Sequence, residues 1–297
     1  MSAPLYTTDI RSLPKVTSGK VRDIYAVGDD KLLIVTTDRI SAYDSVFPTP
    51  IADKGRILVG ISNFWFEKLA DIVPNHLTGI APESVVAPDE VDQVIGRAVV
   101  VKRLRPIPVE AIVRGYLVGA AFKSYKKTGI VFGQLVSPSL KEADKLPAPI
   151  FTPTTKAEMG EHDAHLTFSK MELRLGEGAQ KIREISLRLY NAANEIADQA
   201  GLIIADTKFE FGFDHEGNIV LMDEIFTPDS SRIWYKKDYV PGTNPKSIDK
   251  QILRDYLDGI GWNRKPPAPS LPDDLTARLR DGYLQAYQAI TGQPLTD

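Results

Sequence analysis

Apolar and polar positions alternate most regularly between residues 202 and 222. Two strand-like runs flank the turn-forming tetrapeptide Asp-His-Glu-Gly at residues 214–217, which predicts a β-hairpin. Because side chains alternate across a strand, the first run carries one aromatic row and one charged row. The aromatic row is Phe209, Phe211 and Phe213, and the charged row is Asp206, Lys208 and Glu210. We expect the aromatic row to belong to the core.

The charged row lies on a strand that starts Leu-Ile-Ile-Ala, which is too apolar for a strand at a solvent edge. Buried charges are costly unless they are paired or bind an ion, so the row predicts a polar pocket. If the turn has an even number of residues, Asp223 lies opposite Lys208 on the charged face, and it could hold a hard cation together with Glu210. An odd number places Asp223 on the aromatic face. The alternative is a surface hairpin with scattered charges.

The first hundred or so residues are predicted to form mainly strands. Residues 21–27 and 31–37 are joined by Gly-Asp-Asp, a hairpin signal, and residues 96–104 form another apolar strand. Arg-Pro-Ile-Pro at residues 105–108 disfavours helix and predicts an extended connector. We place a lobe boundary there, between a β-rich lobe of residues 1–105 and an α+β lobe of residues 106–297. Helices are predicted over residues 59–71, 114–127, 177–200, 247–257 and 273–290, and a long irregular loop over residues 138–155.

Composition narrows the class of protein. The chain has 297 residues, no cysteine, and 36 Lys and Arg against 39 Asp and Glu. Without cysteine there are no disulfides, thiolate nucleophiles or cysteine-based zinc sites. The charge balance gives no sign of a nucleic-acid or membrane-surface partner. No run is apolar enough to span a bilayer and no secretion signal is visible, so we expect a cytoplasmic protein.

Two motifs of the first lobe combine small residues with charges. Thr-Ser-Gly-Lys-Val-Arg at residues 17–22 lets main-chain N–H groups approach an anion, and Lys20 and Arg22 add positive charge. It lacks the spacing of a Walker A loop, and an ordinary turn with solvated basic residues is the alternative. The second motif, at the end of a buried strand, contains Asp38, Arg39, Ser41 and Asp44. These residues are candidates for ligand contact, and the alternative is that Asp38 caps a helix or a turn.

Two motifs of the second lobe combine an arginine with polar neighbours. Glu110 and Arg114 lie four residues apart, which would be an ion pair on a helix. The neighbouring residues in the sequence are apolar, which argues against full solvation of these two side chains. A partly buried arginine is suited to binding a phosphate or carboxylate. After the hairpin come Ser230, Ser231 and Arg232, two hydroxyls and a guanidinium that also suit a phosphate.

The segment 151–166 contains His162, Asp163 and His165. Their spacing fits no strong zinc pattern. We interpret the segment as a polar loop that closes on an anionic ligand through Lys156.

Taken together and in this order, the motifs resemble the SAICAR synthetase family of purine biosynthesis. The matching segments are Ser-Gly-Lys-Val-Arg-Asp-Ile-Tyr at residues 18–25, Thr-Asp-Arg-Ile-Ser-Ala-Tyr-Asp at 37–44, Pro-Val-Glu-Ala-Ile-Val-Arg-Gly-Tyr at 108–116, Phe-Thr-Pro-Thr-Thr-Lys-Ala-Glu-x-Gly-Glu-His-Asp at 151–163, Ala-Asp-Thr-Lys-Phe-Glu-Phe-Gly at 205–212 and Asp-Glu-x-x-Thr-Pro-Asp-Ser-Ser-Arg at 223–232. These runs are long and specific, and the chain looks like the longer, fungal-type form rather than the short bacterial one.

The resemblance implies an ATP-dependent ligase that joins L-aspartate to the carboxylate of 5-amino-1-(5-phospho-D-ribosyl)imidazole-4-carboxylate, giving SAICAR, ADP and phosphate. It also implies a two-lobed α+β fold. The N-terminal lobe would carry an antiparallel sheet, related to ATP-grasp and protein-kinase lobes, with ATP between it and a larger α+β lobe. Mg²⁺ is the implied cofactor and ATP the co-substrate. The partners would be small molecules only, without nucleic acid or membrane, and we expect a monomer.

By position, the resemblance also implies the site residues. Those expected to bind ATP are Ser18, Gly19, Lys20, Arg22, Lys102, Arg103, Leu104, Lys156, Glu210 and Asp223. Of these, Glu210 and Asp223 would be the magnesium ligands. Those expected to bind the other substrates are Ser41, Asp44, Arg114, Asp163, Asp206, Lys208, Ser230, Ser231 and Arg232. Lys208 and Asp206 are the catalytic candidates, with Asp206 orienting or deprotonating the amine.

Two other functions are weighed against this one. Glu-Phe-Gly at residues 210–212 resembles the Asp-Phe-Gly of protein kinases, but the His-Arg-Asp catalytic loop and the kinase glycine-rich loop are missing. A non-catalytic nucleotide sensor is the other alternative. The chain retains the charged positions expected of the pocket, which argues against a sensor.

Overall fold

The computed structural model describes residues 3–156, 164–243, 245, 247–248 and 251–296. Two residues of the predicted loop site, His162 and Asp163, lie outside the described residues. Across the described part of the chain, every helix is too short or too polar to cross a membrane. The fold is mixed α+β with antiparallel sheets.

The strands are β1 Lys15–Ser18, β2 Arg22–Val27, β3 Lys31–Thr36, β4 Ser41–Ala42, β5 Ser45–Val46, β6 Ala98–Lys102, β7 Arg105–Tyr116, β8 Lys145–Phe151, β9 Thr154–Thr155, β10 Leu202–Phe213, β11 Ile219–Met222 and β12 Ser231–Tyr235. The helices are α1 Lys54–Lys68, α2 Ala120–Thr128, α3 Phe168–Leu175, α4 Glu177–Gln199, α5 Gln251–Gly259 and α6 Asp273–Thr291. The chain forms two compact units. The first contains the residues up to Phe64, His76–Arg103 and the residues from Ile248 onward, and the second contains Trp65–Asn75 and Leu104–Ser247.

The first unit is built on a four-stranded antiparallel sheet in the order β1-β2-β3-β6. The predicted hairpin is confirmed, because β2 and β3 pair from Arg22 with Thr36 to Val27 with Lys31. Period-two alternation explains the core of this unit, since inward-facing residues of each strand meet on one face. That core cluster includes Tyr25, Leu33, Val35 and Val100.

Helix α1 begins at Lys54, earlier than the predicted residue 59, because the preceding turn is tied to the sheet. The Asp38 carboxylate accepts the N–H of Gly55 in the first helical turn at 2.9 Å and pairs with Arg97 at 2.8 Å. A Cβ at Gly55 would lie 2.2 Å from the carbonyl oxygen of Thr36. Asp38 is therefore a helix cap, which was the structural alternative for its motif.

The C-terminal helix α6 belongs to the first unit. Its Arg280 binds the Asp53 carboxylate at 2.6 Å, and a Cβ at Gly60 of α1 would lie 2.6 Å from the ring of Tyr287. The compact units therefore differ from two consecutive pieces of 1–105 and 106–297. The change of unit at Arg103 and Leu104 lies beside the predicted boundary, and the functional lobes stay a prediction.

The second unit is built on a six-stranded sheet. Its main path is β11-β10-β7-β8, with β12 paired to β10 and β9 paired to β7. Helix α4, which runs over nearly the predicted residues, packs on β10, β7 and β8. The central strand β10 thus has neighbours on both edges and a helix on one face.

Three predictions for this unit are wrong. The predicted connector at 105–108 and the first residues of the predicted helix 114–127 both belong to β7, and α2 begins only at Ala120. Pro106 pairs with Gly212 at the point where the β7–β10 register shifts. Proline has no N–H to donate to the neighbouring strand, and it is tolerated at such a bulge because the regular ladder is interrupted there. The predicted irregular loop 138–155 contains β8 and β9, because pairing with β7 orders a proline-rich sequence.

Candidate active site

The predicted hairpin forms, and its turn has an odd number of residues. Phe213 pairs with Ile219, so the five residues 214–218 lie between the strands, and Glu210 pairs with Met222. The Asp214 side chain sets this length, because it accepts the main-chain N–H of Asn218 at 2.8 Å. The side-chain amide of Asn218 lowers the pKa of Asp214, and that main-chain N–H lowers it further. The even-turn arrangement, with Asp223 opposite Lys208, is therefore wrong. Asp223 follows the end of β11 with a φ of 69°, so strand alternation no longer determines its direction.

The charged row of β10 lies in partly buried ion pairs, and the polar pocket expected at this face stays a prediction. The Lys208 ammonium lies 2.7 Å from Glu210 Oε1 and 3.0 Å from Glu110 Oε1. The other oxygen of Glu210 is 2.5 Å from the Lys156 ammonium. Glu210 is only 6% exposed, and Glu110 is its direct partner on β7. We call Lys156, Lys208, Glu110 and Glu210 the Lys208 cluster.

The charges of the Lys208 cluster are held in place by one another. Burial alone would raise the pKa of Glu210, but the ammonium groups of Lys208 and Lys156 outweigh it and lower that pKa to about 2. Burial alone would lower the pKa of Lys208, but the carboxylates of Glu210 and Glu110 raise it above its ordinary value. At neutral pH the carboxylate of Glu210 is therefore ionised and Lys208 is a cation.

A second cluster surrounds Asp206, on the same face of β10. Its Oδ2 accepts from Arg114 at 2.9 Å and from Arg232 at 2.8 Å, and Arg114 Nε also donates to Thr152. Arg114 and Arg232 are the partners of Asp206 on β7 and β12. Two guanidinium groups share one carboxylate, so this Asp206 cluster carries net positive charge and suits an anionic ligand.

Glu110 and Arg114 do not form the helical ion pair that their spacing would allow. Both lie on β7, where residues four apart share a face, and each binds its own partner on β10. Burial lowers the pKa of Arg114, and the Asp206 carboxylate opposes that effect. The expected partial burial of Arg114 is confirmed, with 6% of the residue exposed.

The two serines before Arg232 point to other partners. The Ser231 hydroxyl lies 2.7 Å from the Thr207 hydroxyl, and these two residues form the pair next to Asp206 and Arg232 along the β10–β12 ladder. The Ser230 hydroxyl accepts the N–H of Thr227 at 3.2 Å in the preceding turn. The structure therefore brings Arg232, but neither serine hydroxyl, to Asp206.

Tyr190 of α4 supports the strands beneath the Asp206 cluster. Its hydroxyl is 2.5 Å from the carbonyl oxygen of Ile204, next to the register shift between β10 and β12. The hydroxyl also accepts the N–H of Gly115, where a Cβ would lie 2.1 Å away. Burial raises the pKa of Tyr190 above its ordinary value, so the hydroxyl keeps its proton. Sequence reasoning missed this residue, because its role depends on two distant strands.

The predicted phosphate loop and the second motif meet in the first unit. Gly19 donates its N–H to the carbonyl oxygen of Arg22 at 2.7 Å, which closes the loop between β1 and β2. The exposed Lys20 ammonium pairs with Asp44. Asp44 and Tyr43 both have positive φ, which forms the tight turn between β4 and β5. Ser18, Arg22 and Ser41 lie on β1, β2 and β4 near these residues.

Arg39 belongs to the second motif but is not among the site residues predicted from the sequence. It is buried and donates to the carbonyl oxygens of Tyr6 at 2.8 Å, Gly19 at 3.1 Å and Lys20 at 3.0 Å. It also pairs with Asp23 at 3.0 Å. Because C=O and N–H of a trans peptide point in opposite directions, the N–H groups that follow Gly19 and Lys20 face away from Arg39.

The remaining predicted residues are placed as follows. Lys102 is the last residue of β6, and the main-chain N–H of Arg103 donates to the carbonyl oxygen of Asp30 at 2.8 Å. Leu104 is the first residue of the segment 104–247 of the second unit. His165 stacks on Phe132, with 3.4 Å between ring centroids. Among the described residues, no group of three or more His, Asp or Glu side chains is placed to hold a metal ion.

The sheets and the charged face of β10 define a mixed α+β protein with a polar site on a central strand. A family model described as SAICAR synthetase matches residues 15–269. A phosphoribosylaminoimidazole-succinocarboxamide synthase of Cupriavidus taiwanensis is 57% identical, over 99% of this chain and 100% of the relative. One of Azoarcus sp. is 51% identical over the same shares. The chain belongs to the SAICAR synthetase family.

Solved structures agree with this assignment. The SAICAR synthase of Saccharomyces cerevisiae, complexed with SAICAR, matches with a TM-score of 0.92 and 39% identity, over 99% of this chain and 100% of that one. A structure of a SAICAR synthetase in complex with ADP matches with a TM-score of 0.70 and 25% identity, over 95% of this chain and 100% of that one. The predicted α+β class and the likeness to the longer, fungal-type form are confirmed.

Proposed function

We propose that the Lys208 cluster and the Asp206 cluster carry the reaction of this chain. The chain is an ATP-dependent ligase that joins L-aspartate to the carboxylate of 5-amino-1-(5-phospho-D-ribosyl)imidazole-4-carboxylate, giving SAICAR, ADP and phosphate. The observation that supports the proposal is a single strand face. Asp206, Lys208 and Glu210 occupy alternate positions on it, and each is paired with a charged group of another strand or loop.

The Asp206 cluster is assigned to an anionic group of the substrates. Arg114 and Arg232 supply two forks of N–H donors, which match the oxygens of a phosphate or carboxylate. Both forks bind the same oxygen of Asp206, Oδ2. We assign the other oxygen of Asp206 to the incoming amine of aspartate, which it would orient or deprotonate.

Magnesium is assigned to Glu210 and Asp223. The fit rests on the donor set: Mg²⁺ prefers carboxylate oxygens and usually takes one or two from the protein, completing its shell with water and phosphate. A Glu210 pKa of about 2 means that this carboxylate is ionised at neutral pH. When bound, Mg²⁺ spreads the charge of the transferred phosphoryl group.

Lys208 is assigned to charge stabilisation rather than to proton transfer. Its raised pKa keeps it a cation, so it cannot act as a base at neutral pH. A carboxylate is a poor electrophile, and ATP can convert it to an acyl phosphate that the amine attacks. Lys208 and Lys156 would stabilise the negative charge that moves during this transfer, and positioning of the three substrates lowers the rest of the barrier.

The nucleotide is assigned to the loop that begins at Ser18, with Gly19, Lys20 and Arg22, and to the strip 102–104. The hydrogen bonds from Arg39 support this assignment, because they draw two carbonyl groups of the loop to one side. The N–H groups that follow Gly19 and Lys20 then point to the opposite side, and we assign them to the phosphates of the nucleotide. Asp44 and Ser41 are assigned to substrate contact beside Lys20. Asp163 and the two serines before Arg232 stay predictions.

The partners proposed for this reaction are small molecules alone, without nucleic acid or membrane. A monomer in the cytoplasm stays our prediction, in keeping with substrates that are soluble metabolites. Neither statement is needed for the assignments above.

The test of the proposed function is release of phosphate from ATP by the purified chain. We expect release only when ATP, the imidazole carboxylate and L-aspartate are all present, with one SAICAR formed per phosphate. Transfer of phosphate to a protein substrate would instead favour a kinase, and nucleotide binding without turnover a sensor. In the same assay Glu210→Gln and Asp223→Asn should abolish turnover while the fold survives. Wild-type activity of either variant at low magnesium would refute the metal assignment.

A further inference from the structure

We propose that Gly119 is a positioning residue for the guanidinium group of Arg232. Gly119 immediately precedes helix α2 and has a φ of 59° and a ψ of −126°. Residues with a side chain rarely adopt this backbone conformation. The glycine permits the turn, and its missing side chain leaves a space that the arginine fills.

The contact between Gly119 and Arg232 is close and specific. A Cβ at Gly119 would lie 3.1 Å and 3.3 Å from the two terminal nitrogens of Arg232 and 3.5 Å from its central carbon. One of these two nitrogens, Nη1, also donates to Asp206 Oδ2 at 2.8 Å. The guanidinium of Arg232 is therefore in close contact with both the carboxylate of Asp206 and the main chain at Gly119.

A methyl group at Gly119 would act on the position of Arg232 more than on the fold. The atoms it would meet belong to the far end of a flexible side chain, which can shift by a few tenths of an ångström at low cost. That shift would misalign the hydrogen bond to Asp206, and charge-assisted hydrogen bonds depend on alignment. The proposal rests on the proposed role of Arg232 in binding an anionic substrate group. It deepens that role by naming what sets the geometry.

The chain supplies a matched control for the backbone strain. Gly176 precedes helix α4 with a φ of 55° and a ψ of −133°, nearly the same conformation as Gly119. A Cβ at Gly176 would meet nothing within 4 Å. An alanine at either position carries the same backbone cost, but only the alanine at Gly119 displaces an arginine.

The experiment compares Gly119→Ala with Gly176→Ala in steady-state assays and in urea unfolding. Both variants should lose similar stability. Gly119→Ala should raise the KM for the imidazole ribonucleotide or for L-aspartate by about tenfold, as expected when one charge-assisted hydrogen bond is misaligned. The KM for ATP should stay within about twofold of the wild type, because no ATP contact is assigned to Arg232. Equal KM values for the two glycine variants would overturn the proposal.

Arg232→Ala separates the two claims. If it leaves every KM unchanged, the assigned role of Arg232 fails, whatever Gly119 does. If it raises a KM, Gly119→Ala added to it should have no further effect, because the group that the methyl displaces is gone. Should Gly119→Ala unfold the chain, recovery of folding in the double variant would support the close approach. Unfolding that persists without the arginine side chain would overturn it.

Discussion

Glu210→Gln should destabilise the protein at neutral pH by an amount that shrinks on acidification. The substitution keeps the shape of the side chain and removes its charge, as protonation would. Glu210 is 6% exposed and binds two ammonium groups, at 2.5 Å and 2.7 Å. The variant therefore places an amide against one partly buried ammonium group, that of Lys208, and one exposed ammonium group, that of Lys156.

The size of the effect follows from the pKa. In the folded chain the pKa of Glu210 is about 2, against an ordinary value of 4.5. One pKa unit corresponds to about 1.4 kcal/mol, so ionisation of Glu210 stabilises the fold by on the order of 3 kcal/mol at neutral pH. Because the folded-state pKa is the lower one, this stabilisation is fully present above pH 4.5 and is lost as the pH falls toward 2.

The assay is urea unfolding followed by circular dichroism for the wild type and Glu210→Gln at neutral pH and near pH 3. The difference in free energy of unfolding should be on the order of 3 kcal/mol at neutral pH and clearly smaller at the acid end. Glu67→Gln, at an exposed position of α1, is the control and should match the wild type at both pH values. A difference that is absent at neutral pH, or that does not change with pH, would refute the reasoning.

Three further variants test neighbouring features. Lys208→Met should reduce turnover at least about 100-fold. It should also destabilise the fold at neutral pH, because the carboxylates of Glu110 and Glu210 face each other on paired strands. Urea unfolding should show that this loss of stability becomes smaller as the pH falls. Arg39→Lys keeps the charge but not the fork, so the KM for ATP should rise about tenfold while the other KM values hold; an equal change in all three would contradict this. Tyr190→Phe leaves the carbonyl oxygen of Ile204 and the N–H of Gly115 without the tyrosine hydroxyl. Urea unfolding should show that the free energy of unfolding falls by about 1–3 kcal/mol, and an unchanged value would contradict these hydrogen bonds.

The charged face of β10 was predictable because its signal is local. Asp206, Lys208 and Glu210 occupy alternate positions within one strand, so the periodicity of the strand alone places them together. What could not be predicted is how each charge is satisfied. Glu110 and Arg114 had to come from β7, and the proline-rich start of that strand made it look like a connector. Pairing with β10 outweighs that local preference.

The side of Asp223 was not predictable from alternation because the turn length was not. Asp214 accepts two main-chain N–H groups of the turn, which makes a five-residue connection stable. A turn of that length reverses the face of every residue that follows in the ladder. Asp223 leaves the ladder through a positive φ, so its position depends on tertiary structure that the sequence pattern does not encode.

Arg39 and Gly119 show a second limit, since both act on or through the main chain. The hydrogen bonds of Arg39 go to carbonyl oxygens, which every residue type carries, so no sequence pattern marks them. The role of Gly119 lies in a missing side chain beside an arginine more than a hundred positions away in the chain. Motif reading finds charged groups and misses what holds them in place.

The balance of charge along β10 is consistent with the ligands that we propose for each end of this face. The Asp206 cluster has two cations and one anion, so an added anionic group improves its balance. The Lys208 cluster has two cations, Lys156 and Lys208, and two anions, Glu110 and Glu210, so it is balanced without a ligand. A divalent cation can join Glu210 without leaving excess positive charge only if phosphate oxygens arrive with it and take over the lysines. The arrangement therefore favours binding of metal and nucleotide together over binding of metal alone.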